Sequence, residues 1–158
     1  RDLVRCYAAQ YAAEVTAQLT DVHDPHPTVF DGLHRLLLVL EREDPLAALD
    51  DYLWLMLTEI GLRPELSRCV GCGKSVAGDP LLYFSSRQGG AICRDCEPAT
   101  VEKRRMPAGV ALMLANGGVS DRAGWRAGFD LLDYHIAEIM ARPPRTAAAL
   151  RAALKARG

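Results

Sequence analysis

Two Cys-x-x-Cys pairs, Cys69/Cys72 and Cys93/Cys96, separated by residues 73–92, constrain this chain more than any other feature. A two-residue gap lets both sulfurs of a pair reach one tetrahedral metal at roughly 2.3 Å, provided the backbone folds into a tight knuckle. Gly71 and Gly73 supply the freedom for such a turn. The second pair must return to the same metal. Residues 82–85 (Leu-Tyr-Phe-Ser) and Ala91-Ile92 are strand-like, with Gly89-Gly90 as the turn between them. The pattern predicts a zinc ribbon, with one structural Zn2+ held by Cys69, Cys72, Cys93 and Cys96. Four thiolates leave no open coordination position for water or substrate, so zinc catalysis is not expected. Buried small residues, a redox pair or disulfides are the plainer alternatives, and they account less well for two correctly spaced pairs joined by a hairpin. The fifth cysteine, Cys6, is expected to pack as a core thiol.

Around the ribbon the pattern is helical. The alanine-rich segment 2–19 offers Leu3, Cys6, Tyr7, Ala13 and Val15 for a buried stripe, and Asp24-Pro25-His26-Pro27 breaks it. From Thr28, the residues Val29, Phe30, Leu33, Leu36, Leu37 and Leu40 recur at helical spacing on one face. Asp44-Pro45 is a capped helix start and Gly61 a stop, with Leu46, Leu49, Leu53, Met56, Leu57 and Ile60 as the stripe between them. Past the ribbon, 108–115 reads as a short helix broken at Asn116-Gly117-Gly118. Ser120 is expected to cap the next, which carries Trp125, Phe129, Leu132, Ile136 and Ile139 and ends before Pro143-Pro144. A basic, alanine-rich helix from Arg145, with only Leu150 and Leu154 to bury, should dock weakly. The fold class is therefore mainly α: a helical bundle, 1–66 and 99–158, with the four-cysteine ribbon and its small β-hairpin inserted at 67–98. The apolar helix faces are expected to exclude the ribbon.

The composition, 49% hydrophobic and 25% charged over 158 residues, is that of a folded chain, and its net charge of −1 argues against a generally basic nucleic-acid binder. Charge is uneven along it. Between Thr20 and Ile60 the acids Asp21, Asp24, Asp31, Glu41, Glu43, Asp44, Asp50, Asp51 and Glu59 face only Arg35 and Arg42, and this part should repel phosphate. Residues 142–158 carry Arg142, Arg145, Arg151, Lys155 and Arg157 with no acid. Lys103, Arg104 and Arg105 follow the ribbon, and with Arg94 they are candidate single-stranded DNA contacts; a solvated basic face is the plainer alternative. Cysteine pairs without export signals point to a reducing compartment, the cytoplasm. No apolar stretch approaches the roughly 20 residues of a membrane span. The histidines His23, His26, His34 and His135 are scattered and expected to be exposed, and neither a catalytic trio nor a phosphate loop is suggested, so the chain is not expected to be an enzyme.

The order of features resembles a known family. Tyr11-Ala-Ala-Glu14, Phe30-x-x-Leu33, Leu57-x-x-Ile60-Gly-Leu62-x-Pro64-x-Leu66-x-x-Cys69-x-x-Cys72-Gly73, Tyr83-Phe84-Ser85, Gly89-Gly90 and Cys93-x-x-Cys96 are similar to the bacterial DNA repair and recombination family RecO. The resemblance implies a mediator that works with RecR to place RecA on single-stranded DNA covered by single-stranded DNA-binding protein, that anneals complementary strands, and that does no covalent chemistry. It also implies a nucleoid location, and capture of the acidic, hydrophobic-ended C-terminal tail of single-stranded DNA-binding protein, for which Arg142 and Arg145 are candidate carboxylate partners. The family has an N-terminal OB-fold. The present sequence lacks five strands to build one, and reads as a fragment starting at the helical domain or as a shortened relative. DNA binding by this chain alone is accordingly expected to be weak. The competing reading is a helical protein–protein adaptor whose ribbon only staples the fold.

Overall fold

A computed structural model of the chain describes residues 2–107, 109–117 and 121–157. The element order is α1 (Leu3–Leu19), α2 (Pro27–Val39), α3 (Pro45–Glu59), β1 (Leu82–Ser85), β2 (Gly90–Ile92), a 3-10 turn (Glu97–Ala99), β3 (Arg104–Met106), α4 (Val110–Asn116), α5 (Arg122–Ile139) and α6 (Ala147–Arg157). The strands form one antiparallel sheet in the order β2-β1-β3. Among the described residues no helix is long and apolar enough to cross a membrane.

Local chemistry sets the helix ends. Asp2 accepts from the amides of Val4 and Arg5, and Asp44 from that of Leu46 with Pro45 in the first turn, so donors left free by the helix start are satisfied. Gly61 closes α3 with φ 75°. Asp121 caps α5 through the Gly124 amide; Ser120, expected in that role, lies outside the described residues, as do Ala108 and Gly118 of the expected short helix and its break.

Helix α3 is the hub, packing on α1, α2 and α5, while α6 lies along α1. Leu49, Leu53, Met56 and Leu57 meet Phe129, Leu132 and Ile136 with essentially no exposure, each such burial stabilising by roughly 1.5–3 kcal/mol. Both stripes follow the sequence pattern. The α1 stripe does not: Val4, Ala8, Tyr11, Ala12 and Val15 are buried, whereas Leu3, Ala13 and Cys6 are exposed and Tyr7 is half-buried, so Cys6 is not a core thiol. Tyr11 sets this phase, its ring edge-on to Phe129 at 5.3 Å and its hydroxyl donating to Asp133 at 2.8 Å. On α2 and its C-cap, Val29, Leu36 and Leu40 face the core, but Phe30 and Leu37 do not, at 71% and 49% exposure. Helix α6 docks firmly rather than weakly. Leu150 is fully buried, Arg151 pairs with Asp130 and Asp133, and Glu14 of α1 accepts from the amides of Arg145 and Thr146 and the Thr146 hydroxyl.

The sheet is part of the same core. Phe84 packs edge-on against Tyr134 at 6.3 Å and His135 at 5.5 Å, and one cluster of buried residues runs from the helices into Leu82, Phe84, Ala91 and Met106. The helix faces therefore include the ribbon, against expectation. His135 is buried rather than exposed. Its Nε2 meets the Leu62 carbonyl at 3.0 Å and its Nδ1 the Ser86 hydroxyl at 2.7 Å. A carbonyl only accepts, so Nε2 carries the proton and Nδ1 accepts from Ser86, as suits an imidazole whose burial lowers its pKa and keeps it neutral. Beside it, Glu102 gathers the Ser85 hydroxyl, the amides of Ser86 and Arg87, and the Tyr134 phenol.

Candidate metal centre

The first knuckle forms because the Gly73 amide returns to the Cys69 carbonyl at 2.7 Å and the Cys69 amide to the Lys74 carbonyl at 2.8 Å. Gly73, at φ 75°, supplies the left-handed turn. Gly71 serves differently: a Cβ there would lie 3.1 Å from both Cβ and Sγ of Cys96. In the second knuckle the amides of Cys96 and Glu97 both reach the Cys93 carbonyl at 3.1 Å. The knuckles meet because residues 65–70 run beside β2. The Val70 amide donates to the Ala91 carbonyl, and Glu65 brackets Gly90 by bonding Gly89 and Ala91. A Cβ at Gly90 would fall 2.3 Å from the Glu65 carbonyl oxygen, so Gly89, at φ 77°, makes the turn while Gly90 admits the neighbouring backbone.

The four sulfurs of Cys69, Cys72, Cys93 and Cys96 all lie within 4.8 Å of one another, with Cys72 and Cys93 3.8 Å apart. A tetrahedron with metal–sulfur bonds of roughly 2.3 Å has sulfur–sulfur edges of about 3.8 Å, so the set fits a metal ion. Cys69 and Cys93 are buried, Cys96 half-buried and Cys72 exposed. Burial opposes ionisation of Cys69, but the amides of Cys93, Cys72 and Gly71 together bring its thiol down to about 6; the Cys93 amide sits 3.3 Å from its sulfur. The neighbouring sulfurs of Cys72 and Cys93 push the Cys96 thiol up to about 12. Four thiolates this close together repel one another unless a cation sits among them. Among the described residues this is the one grouping of three or more metal-ligating side chains. His26 pairs with Asp24 at 3.3 Å, and His23 and His34 are exposed.

The basic residues near the centre are not equivalent. Lys103 is engaged by Glu97, 2.7 Å from its carboxylate and 2.8 Å from its carbonyl oxygen. Lys74 pairs with Asp95 and Arg87 with Glu138. Arg94 is exposed at the second knuckle. Arg104 and Arg105 lie on β3, a strand the sequence pattern does not signal, with the Arg104 guanidinium 4.4 Å from the centre of the Tyr134 ring. At the far end of α5, Arg142 donates to Gln18 and lines a cavity of about 600 Å³ with Ser86, Arg87, Glu138, Ile139 and Pro143. Arg145 is exposed and outside that lining.

The family described as "Recombination protein O C terminal" matches residues 1–148. Among relatives, a DNA repair protein RecO of Anaeromyxobacter dehalogenans (strain 2CP-C) is 36% identical over 126 residues, covering 77% of this chain and 49% of the relative. One of Desulfitobacterium hafniense (strain DSM 10664 / DCB-2) is 35% identical over 96 residues, 61% of this chain and 35% of the relative. The chain spans about half the length of the first of these relatives, or less. With the helical bundle, the inserted ribbon and a family match over nearly its whole length, the chain belongs to the RecO family, in the part that the family description calls the C terminal.

Proposed function

We propose that this chain is the helical and metal-binding part of a DNA repair and recombination mediator that acts with RecR to load RecA onto single-stranded DNA covered by single-stranded DNA-binding protein, and that anneals complementary strands. The observation that carries the reading is the family match over residues 1–148, joined to a four-thiol site whose geometry suits zinc. Zinc here is structural, because four thiolates complete a tetrahedral shell and leave no place for a reacting water. The chain does no covalent chemistry of its own, and its place is the cytoplasm, at the nucleoid. Its mediator role is tested with RecA, RecR and DNA coated with single-stranded DNA-binding protein, by following RecA-dependent ATP hydrolysis. The chain is expected to shorten the lag; an unchanged lag removes the role from this chain. The adaptor reading draws support from Phe84, which ties the ribbon into the bundle as a staple would, and it expects no binding to DNA at any salt concentration.

The protein partner is the acidic, hydrophobic-ended tail of single-stranded DNA-binding protein. Arg142 supplies a cation at the rim of the cavity that Ile139 and Pro143 also line, and Arg145 adds charge at the start of the acid-free segment. A fluorescent tail peptide is expected to bind saturably. An Arg142→Ala, Arg145→Ala double variant should bind it roughly tenfold more weakly, as loss of a charge-assisted hydrogen bond predicts. No saturable binding to the parent removes the partner, and equal binding to both removes the residue assignment.

A further inference from the structure

Helices α2 and α3 leave a groove between them on the acidic side of the bundle. It holds a cavity of about 230 Å³ with an apolar floor of Leu36, Val39, Tyr52 and Leu55, and with Glu43 and Asp51 in its lining. Gly32 also lines it. A Cβ there would meet a Leu55 methyl at 2.8 Å and the Tyr52 ring at 3.5 Å, so the two helices approach closely at this point. Among the described residues neither carboxylate has a cation within ion-pair distance or a hydrogen bond to its side chain. Glu43 gives Arg5 only its backbone carbonyl, and Arg35, the cation in the lining, pairs with no acid among the described residues. Burial, and then the charge of Glu43, raises the Asp51 pKa. Glu59 follows Leu55 by one turn on the same face of α3 and extends the acidic rim. The α2 wall is itself left bare, with Phe30, Leu37 and Leu38 exposed.

We propose that the α2–α3 groove receives a basic amphipathic helix of a protein partner, whose leucine- or phenylalanine-type side chain fills the cavity and whose lysines or arginines pair with Glu43, Asp51 and Glu59. The inference goes beyond the DNA and tail readings and stands without them, because carboxylates at this rim repel phosphate and an acidic peptide alike. A cavity of roughly 150 Å³ already holds a benzene ring, so this one takes such a side chain whole. Helix α3 offers about 22 Å of wall, the length of four helical turns. A helix suits that wall better than an extended peptide, because both walls are helices and expose no row of unpaired backbone groups for a strand to bond. Arg35 adds selectivity. On the α2 wall it repels a helix that is basic all round and favours one whose basic residues lie along the α3 side.

Fluorescence anisotropy of a labelled leucine–lysine peptide, about four helical turns long with its leucines at helical spacing, titrated with the whole chain, tests the groove. Saturable binding is expected. A Glu43→Gln, Asp51→Asn double variant should bind about fivefold more weakly, as loss of two partly exposed ion pairs predicts. An Asp21→Asn, Glu41→Gln variant, which loses the same charge outside the groove lining, should bind like the parent. A peptide of the same composition with its leucines out of helical register should bind the parent several-fold more weakly, and this arm needs no variant. No saturable binding to the parent overturns the proposal. So does an equal loss in the two double variants, which would make the attraction a general field of the acidic face, and so does equal binding of the two peptides, which would leave charge without a groove. Dimerisation of the parent in sedimentation, abolished in the groove variant, would overturn the foreign partner in favour of a second copy offering its acid-free α6. A melting temperature of the groove variant no lower than the parent's separates loss of contact from loss of fold.

Discussion

Replacing Cys69 or Cys93 by serine is expected to release the metal and to lower the melting temperature of the whole chain by roughly 10 °C or more, the shift that several kcal/mol produces in a domain of this size. Both sulfurs are buried, and together they join the two knuckles. Without the cation, four crowded thiols oppose the fold, and the segment from Glu65 to Met106 loses the anchor that aligns β1, β2 and β3. The damage should spread. Phe84, Leu82 and Met106 share a core with α5, and His135 bridges Ser86 to the Leu62 carbonyl, so an unmoored sheet exposes apolar surface on the bundle. Far-UV helicity at 25 °C should nonetheless persist, because α1, α3 and α5 bury Tyr11, Leu53 and Phe129 against one another without the sheet. Metal analysis of freshly reduced protein should find about one zinc per molecule, as one four-thiolate site requires. Cys6→Ser, on an exposed face of α1, should change neither metal content nor melting. Zinc-free wild-type protein, or a Cys69→Ser variant melting like wild type, would sink the assignment.

How far the sequence revealed this fold depended on whether a residue's partner lay nearby in the chain. The clustering of the four cysteines was legible because each knuckle is local: a two-residue gap makes both, and a left-handed glycine, Gly73, helps turn the first. Stripes on α3 and α5 were legible because large apolar residues mark one face and Asp44-Pro45 marks a start. Helix α1 was misphased because alanine suits either face. Its true phase is set by Tyr11, whose partner Asp133 lies 122 positions away. Phe30 and Leu37 misled because α2 is apolar on more than one side, and only Val29 and Leu36, with Leu40 just past its end, turn fully toward the core. His135 is buried by Ser86 and Leu62, 49 and 73 positions distant, and nothing local announces it. Strand β3 was hidden because Arg104-Arg105-Met106 lacks strand character on its own; it becomes a strand by pairing with β1, with Arg104 settled on Tyr134.

Asp50→Asn is expected to stabilise the chain by roughly 1–3 kcal/mol at pH 7.5, an outcome opposite to that of most core substitutions. Asp50 sits in α3 at 3% exposure, and neither carboxyl oxygen has a hydrogen-bond partner among the described residues. It packs against α5 so tightly that a Cβ at Gly128 would fall 2.5 Å from one of those oxygens and 2.7 Å from the Met113 methyl of α4. Asp133, equally enclosed, is matched by Tyr11 and Arg151; Asp50 has neither kind of partner. Burial, followed by the charges of Asp51, Asp130 and Asp44, raises its pKa well above the ordinary 3.8, so the folded chain holds Asp50 protonated where the unfolded chain does not. The unfolded state then binds fewer protons, and stability falls by up to about 1.4 kcal/mol per pH unit from near pH 4 up to the folded pKa. Asparagine keeps the shape without the ionisation. Its advantage should be small near pH 4 and widen toward neutrality. Urea unfolding of both proteins at pH 5 and pH 7.5 measures it, and any loss of metal at the lower pH is common to both. A gap that fails to widen with pH, or an asparagine variant less stable than wild type at pH 7.5, would mean that Asp50 is ionised in the fold and held by a partner.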